Sequence, residues 1–298
     1  MKLILLSILL ILCLMYCYYN LELFTGEISS PLENIKKFTK EISIYRPVGS
    51  DNLNTVKNKI INKMNSLGLT TTKQPFKRII NNKEYSFDNL IGVNPKVKNN
   101  FILIGAHIDS PQIEGCESAI DAATSISVIL ELADKILKQY PLFPLMIVFV
   151  DGEEAIDGAW ANHNTLSGSS YFVDNYDLSL IERVYIFDLI GGNPDYSKIS
   201  AFRNNPASFD DINKLALINS EYKYNIFNDT KTYISNSSII DDHVPFINKG
   251  IPSLNLIPYN FPSSHHTLED NYENINWDYV ETFYNVFLKF LINNLKDK

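Results

Sequence analysis

Cysteine is scarce in this 298-residue chain: three in all, with Cys13 and Cys17 inside an apolar N-terminal run. Cys116 is left alone in the remainder, which excludes a disulfide within the folded part. No histidine or basic residue lies close to it in sequence, so a buried thiol fits better than a nucleophile. Positive charge is also short, with 26 Lys and Arg against 34 Asp and Glu, a net charge of −8 and no basic stripe. That excludes a general nucleic-acid binder and says nothing about substrate. Internal repeats and long low-complexity segments are absent, although asparagine is frequent in several loops. Histidine is rare, at five residues. Four of the five, His107, His243, His265 and His266, stand in clusters with carboxylates, a distribution not expected of scattered core histidines.

What is present is enough apolar material, 45% of residues, for one sizeable core. The length suits a single α/β domain behind a leader. Residues 1–19 are an apolar run in which only Lys2 is charged, long enough to span a bilayer. The segment 1–24 therefore reads as a signal peptide or a signal anchor; the lack of a small-x-small cleavage site favours the anchor. Residues 25–298 would then be the catalytic domain. It would enter the secretory pathway, either membrane-anchored on the lumenal side of the ER or Golgi or secreted, and touch the membrane only through the leader. The sequons Asn228-Asp229-Thr230 and Asn236-Ser237-Ser238 are compatible with that fate.

Helical periodicity covers about 33–45 and 52–67, and Gly68 is placed to end the second helix. Residues 89–93 read as a strand and Asn94-Pro95-Lys96 as a turn. Four apolar runs then follow, Phe101–Ala106, Leu145–Val150, Val184–Ile190 and Leu254–Ile257, of the kind found in parallel strands buried on both faces. The spacing of Ile129, Leu132, Ala133 and Ile136 predicts an amphipathic helix over Asp121–Gln139, and another is predicted over Trp277–Leu295. Strands alternating with helices give a doubly wound α/β fold, a mostly parallel central sheet with helices on both faces.

The chemistry sits at the ends of these strands, where such sheets bind ligands. His107 and Asp109 directly follow the first run; His and Asp two apart can supply a metal ligand and the carboxylate that orients it, or a local hydrogen bond without metal. Asp121 opens a predicted helix, where an N-cap is the default role, but the small residues Ala119, Ala122 and Ala123 leave space for an ion. Glu153 and Glu154 follow Leu145–Val150, and paired carboxylates there are costly to bury without a cation or hydrogen bonds. Asp188 is a charge inside an apolar strand and so a candidate site residue. Asp241-Asp242-His243 and His265-His266 complete the set, with His243 open to a structural role. Asp, Glu and His together suit Zn²⁺ with a position left for substrate.

This ordered set, His107-x-Asp109, Asp121, Glu153-Glu154, Asp188 and His266, resembles the zinc-aminopeptidase-like (M28-type) exopeptidases. Longer stretches resemble the glutaminyl-peptide cyclotransferases more specifically. They are Asp151-Gly152-Glu153-Glu154-Ala155 with Trp160, Leu166-Ser167-Gly168-Ser169, Phe187-Asp188-Leu189-Ile190-Gly191, Asp241-Asp242-His243-Val244-Pro245-Phe246, and Gly250-Ile251-Pro252 through Glu269-Asp270-Asn271. The likeness runs over about residues 33–295. It implies a zinc-exopeptidase-like fold and one zinc per chain held by Asp121, Glu154 and His266. It further implies Glu153 as the proton-transfer residue, Asp241 as a supporting acid and Asp188 as its hydrogen-bonding partner. Trp160, Phe261 and Ile239 would line the substrate pocket. Three departures are visible: His265 stands where the family has a pocket tryptophan, the Glu154–Trp160 spacing is one residue longer, and Ala106 and Ile126 occupy the positions of a family disulfide.

The implied reaction closes an N-terminal glutaminyl residue of a peptide or protein into pyroglutamate and releases ammonia. The main alternative is a two-zinc aminopeptidase, in which His107 and Asp188 complete a second metal site. A non-enzymatic ectodomain of the same fold would be expected to show eroded ligand positions, and here every position is intact.

Overall fold

A computed structural model describes residues 29–161, 163–193, 198–236 and 238–296 of the chain. The leader, residues 1–24, lies outside them. Among the described residues no helix is long and apolar enough to cross a membrane.

Two helices come first, α1 (Pro31–Ile42) and α2 (Asp51–Ser66). Each is capped by a serine, with Ser30 Oγ accepting from Glu33 N and Ser50 Oγ from Leu53 N, which satisfies amides that a helix start leaves unpaired. A hairpin follows, β1 (Thr70–Ile80) and β2 (Lys83–Val93), antiparallel along its whole length. Only the end of β2 is legible as a strand in the sequence. β1 is an edge strand with only Phe76 and Ile80 buried and mostly polar residues elsewhere, so its apolar content is too low to announce it.

The remaining strands of the main sheet are those the apolar runs predict: β3 (Phe101–His107), β4 (Leu145–Val150), β5 (Ile181–Phe187) and β6 (Ser253–Leu256). The sheet order is β1-β2-β4-β3-β5-β6. The last four strands are mutually parallel, whereas β2 meets β4 antiparallel, so the sheet is mixed with a parallel majority. Successive residues of β4 show the two-sided burial. Leu145, Ile147 and Phe149 join a core with α3 (Thr124–Gln139), α5 (Phe209–Asn219) and α7 (Trp277–Lys296). Met146, Val148 and Val150 join a second core with Phe172 and Val173 of α4 (Ser167–Asn175) and Phe246 of α6 (His243–Asn248). Helices on both faces leave only the strand ends open to solvent.

Two buried cations organise those ends. Lys57 of α2 pairs with Asp151 at the end of β4, Nζ to Oδ2 at 2.5 Å, and both side chains are almost fully buried. Asp151 Oδ2 also accepts the Asp88 amide at 2.8 Å. Replacing Lys57 by methionine strands a buried carboxylate and should cost about 3–5 kcal/mol, read as a lowered urea midpoint. A loss below about 1 kcal/mol would mean that the pair behaves like a surface one. Arg46 is fully buried and donates to five backbone carbonyls: Ile42 and Ile44 beside it, Ile108 after β3, and Glu117 and Ser118 before the Asp121 turn.

Candidate active site

Asp109 fixes the first part of the site. Its carboxylate is fully buried and accepts three consecutive amides, Gly152 and Glu153 on Oδ1 at 3.0 and 3.2 Å and Glu154 on Oδ2 at 3.2 Å. The sequence suggests that Asp109 orients His107, but His107 Nδ1 is 3.8 Å away, too far for a direct hydrogen bond. Asp109 instead locks the turn that aims the two glutamates. Gly152 has φ +75, and a Cβ there would meet the Phe87 ring at 2.4 Å, so the turn admits glycine alone.

Asp121 does not cap a helix. It sits in an irregular turn, Ala119–Ala123, with non-helical φ −112 and ψ 81, and α3 begins at Thr124. Asp270 holds that turn from the far end of the chain, its two oxygens accepting Ile120 N at 2.6 Å and Asp121 N at 3.3 Å. The local sequence signals a helix start; the contact that displaces it comes from residue 270. Asp121 Oδ1 meets His107 Nε2 at 2.7 Å, and Oδ2 turns toward His266 and His265, 3.5 and 3.7 Å from their Nε2 atoms.

His266 Nε2 also stands 3.1 Å from Glu154 Oε2, so Asp121 and Glu154 converge on one imidazole nitrogen. Donors held at about 2.0–2.1 Å by one tetrahedral ion lie about 3.3 Å apart. The two edges that His266 makes, 3.1 and 3.5 Å, bracket that length, and the donor types are those zinc takes. Among the described residues, three groups have donor atoms all within 4.8 Å of one another: His107 with Asp121 and Asp188, His107 with Glu153 and Glu154, and Asp121 with His265 and His266.

Burial dominates the electrostatics. It pushes Glu153 well above the ordinary carboxyl range, with Glu154, Asp242 and Asp241 adding in the same direction. Glu154 is raised to about 7 by burial and by Asp121. Asp241 is raised to about 7 by burial and by the like charge of Asp188. The Asp241 carboxylate accepts from Asn255 Nδ2 at 2.7 Å and from the Asp242 amide, so it senses Asp188 as a charge rather than through the hydrogen bond that the resemblance implies. Burial alone would raise Asp121, but the hydrogen bond with His107 holds it far below its usual value. Burial would likewise lower His107, yet Asp109, Asp121 and Asp188 around it hold it well above normal.

These groups form one end of a pocket of about 510 Å³, a size suited to a small ligand. Asp121, Glu153, Glu154, Trp160, Asp188, Ile239, Asp241, Phe261 and His266, all singled out from the sequence, line it, as do Leu189, Ile257 and Tyr259, which were not. Trp160 and Phe261 are 40% and 41% exposed and stand at the mouth. His243 is buried at the start of α6, kept neutral by desolvation that lowers it to about 4, and takes no part in the donor groups. Cys116 is buried too, and desolvation raises its thiol, which fits a packing role. Sequence reasoning missed the contributions of Asp270, Lys57 and Arg46. Asp270 had a visible signal in the acidic run after His265-His266; Arg46 had none, because its acceptors are carbonyls scattered over three segments.

Residues 89–291 match the profile of peptidase family M28. The chain is 30% identical over 250 residues to a glutaminyl-peptide cyclotransferase of Bothrops jararaca, covering 70% of this chain and 66% of that relative, so the match spans just under two thirds of the relative's length. The glutaminyl cyclase structure from Macrostomum lignano superposes with a TM-score of 0.81 at 23% identity, covering 90% of each chain. A zinc-dependent exopeptidase from Parabacteroides distasonis superposes with a TM-score of 0.76 at 17% identity, covering 87% of this chain and 97% of the other. Both share the fold described above.

Proposed function

The chain belongs to peptidase family M28, and from that premise we propose that it cyclises N-terminal glutaminyl residues of peptides or proteins to pyroglutamate with loss of ammonia. The observation that carries this reading is the approach of Asp121 and Glu154 to one nitrogen of His266, in a pocket that the buried Glu153 and the half-exposed rings of Trp160 and Phe261 also line. One zinc per chain would be held by Asp121, Glu154 and His266. When bound there, the ion supplies Lewis acidity to the side-chain amide carbonyl.

In the reaction the α-nitrogen forms a bond to the amide carbon, and the bond from that carbon to the side-chain nitrogen breaks. Glu153 takes a proton from the attacking amine and delivers it to the departing nitrogen, which leaves as ammonia. A carboxyl raised by burial and by neighbouring acids is matched to that exchange near neutral pH. Asp241 and Asp242 add like charge to that of Glu154 around Glu153, and Asp188 acts in the same sense on Asp241. Nucleophile and electrophile are tethered in one residue, so Trp160, Phe261 and Ile239 need only hold the folded conformer and exclude water. The leader belongs to the same proposal, as the signal or anchor that delivers the domain to the secretory pathway.

A second reading, an aminopeptidase with two zincs, is favoured by the grouping of His107, Asp121 and Asp188. The deciding experiment offers Gln-peptide and Leu-peptide to the purified chain and follows products by mass spectrometry, with zinc counted in the same sample. Loss of ammonia from the Gln-peptide with about one zinc per chain is the expected result. Release of free leucine with about two zincs would replace the cyclase by the hydrolase.

A further inference from the structure

Trp160 lines the pocket, and at 40% exposed its indole is not fixed by burial in the core. It rides on a segment whose ends meet, Ile156 N donating to Asn164 O at 3.0 Å, the build of a compact surface loop held by its own side chains. Asp157, Gly158, Ala159 and Trp160 are exposed, whereas Asn164 is buried. The Asn164 carboxamide grips the backbone on both sides of Trp160. Its Oδ1 accepts from Ala161 N at 3.0 Å, and its Nδ2 donates to Ala159 O at 3.1 Å and to Ile156 O at 3.0 Å. A carboxamide is the group that offers an acceptor and two donors on one short side chain, so aspartate or leucine at this position could not make all three bonds. The flanks of the loop are tied separately, Asn81 Nδ2 donating to Asp157 O at 3.2 Å and Arg78 to the carbonyls of His163 and Thr165.

We propose that Asn164 is the positioning residue for Trp160, its carboxamide holding the two peptide groups that flank the indole and so fixing the wall against which substrate folds. The inference rests on Trp160 being such a wall, as given above. Asn164 does not line the pocket and acts only through its neighbours. A wall that selects one conformer must itself keep one place, since an error of about 1 Å can cost on the order of 100-fold in rate. Because Ala159 is exposed, water can take up the carbonyl that a lost Nδ2 would free. With the flanks still tied, removal of the carboxamide should loosen the apex of the loop and leave its base in place.

A double-mutant cycle on the full chain with Gln-peptide separates this role from a general structural one. Asn164→Leu should lower kcat/KM at least about 10-fold, but by less than about 2-fold once Trp160 is alanine, because the grip then has nothing to hold. An equal loss in both backgrounds, or no loss in the first, overturns the inference. So does full activity in Trp160→Ala, which would remove the wall itself. A second measurement needs no turnover. The chain has two tryptophans, so in a Trp277→Phe background Trp160 alone emits. Asn164→Leu should then give red-shifted emission and steeper quenching by acrylamide, and an unchanged slope counts against the inference as decisively as the kinetics. If Asn164→Leu fails to fold, Asn164→Ser, smaller and keeping one hydroxyl, takes both tests. Should the chain release leucine from Leu-peptide instead of cyclising Gln-peptide, the cyclase reading falls, and the same cycle run on Leu-peptide still decides the role of Asn164.

Discussion

Changing Glu153 to glutamine should lower kcat on a Gln-peptide by about 10²–10⁴-fold while zinc content stays at that of the unmodified protein. The substitution keeps size and hydrogen-bonding reach but removes the ability to take and return a proton. Glu153 is 5% exposed and its amide is pinned by Asp109, so the side chain should stay in place and the turn should not rearrange. The metal ligands are untouched, since Asp121, Glu154 and His266 meet without it. Single-turnover kinetics and a zinc assay on one preparation make the test. A variant that keeps turnover removes Glu153 from the mechanism; one that loses zinc shows that it is a ligand.

His266→Ala should take metal and activity together. The imidazole is the point at which Glu154 and Asp121 meet, 3.1 and 3.5 Å away. Its loss takes from Glu154 the imidazole it pairs with, while Asp121 keeps His107. Burial raises Glu154 to about 7, and Asp121 adds to the shift, so the emptied site would relax by protonation rather than stay poised for an ion. Zinc affinity should fall by more than the 10–100-fold typical of losing a supporting hydrogen bond, with turnover reduced in proportion. A metal-replete, active variant would put the essential ligand elsewhere.

How far the sequence reaches depends on whether the cause of a feature is local. The four central strands are legible because each is a continuous apolar run, buried on both faces. Leu145–Val150 appears with the predicted ends, whereas the run Val184–Ile190 is shifted, with β5 spanning Ile181–Phe187. The clustering of histidines and carboxylates is legible because parallel strands deliver their C-terminal ends to one rim. The hairpin strand β1 is missed, since a polar edge strand carries its pairing information in β2 rather than in itself. The start of α3 is misjudged because Asp270, 149 residues beyond Asp121, accepts the amides of the Ala119–Ala123 turn, which is non-helical at Asp121 and Ala122. Asp109 is correctly marked as part of the site, but in a different role, since its partners are three amides in a distant turn. In each of these cases the deciding contact is long-range, and periodicity cannot report it.

The Arg46 guanidinium sets the smallest piece of this chain that can work. Every residue assigned a role in the reaction falls between positions 89 and 291, the span that matches the family. Arg46 lies outside that span, as does Lys57, and yet one clasps the carbonyls of Glu117 and Ser118 and the other holds the end of β4. A fragment cut to the matched span would keep all of the chemistry and lose the fastening. The stretch ahead of the matched span is therefore part of the working unit rather than an appendage to it, and the boundary of that unit lies before Arg46.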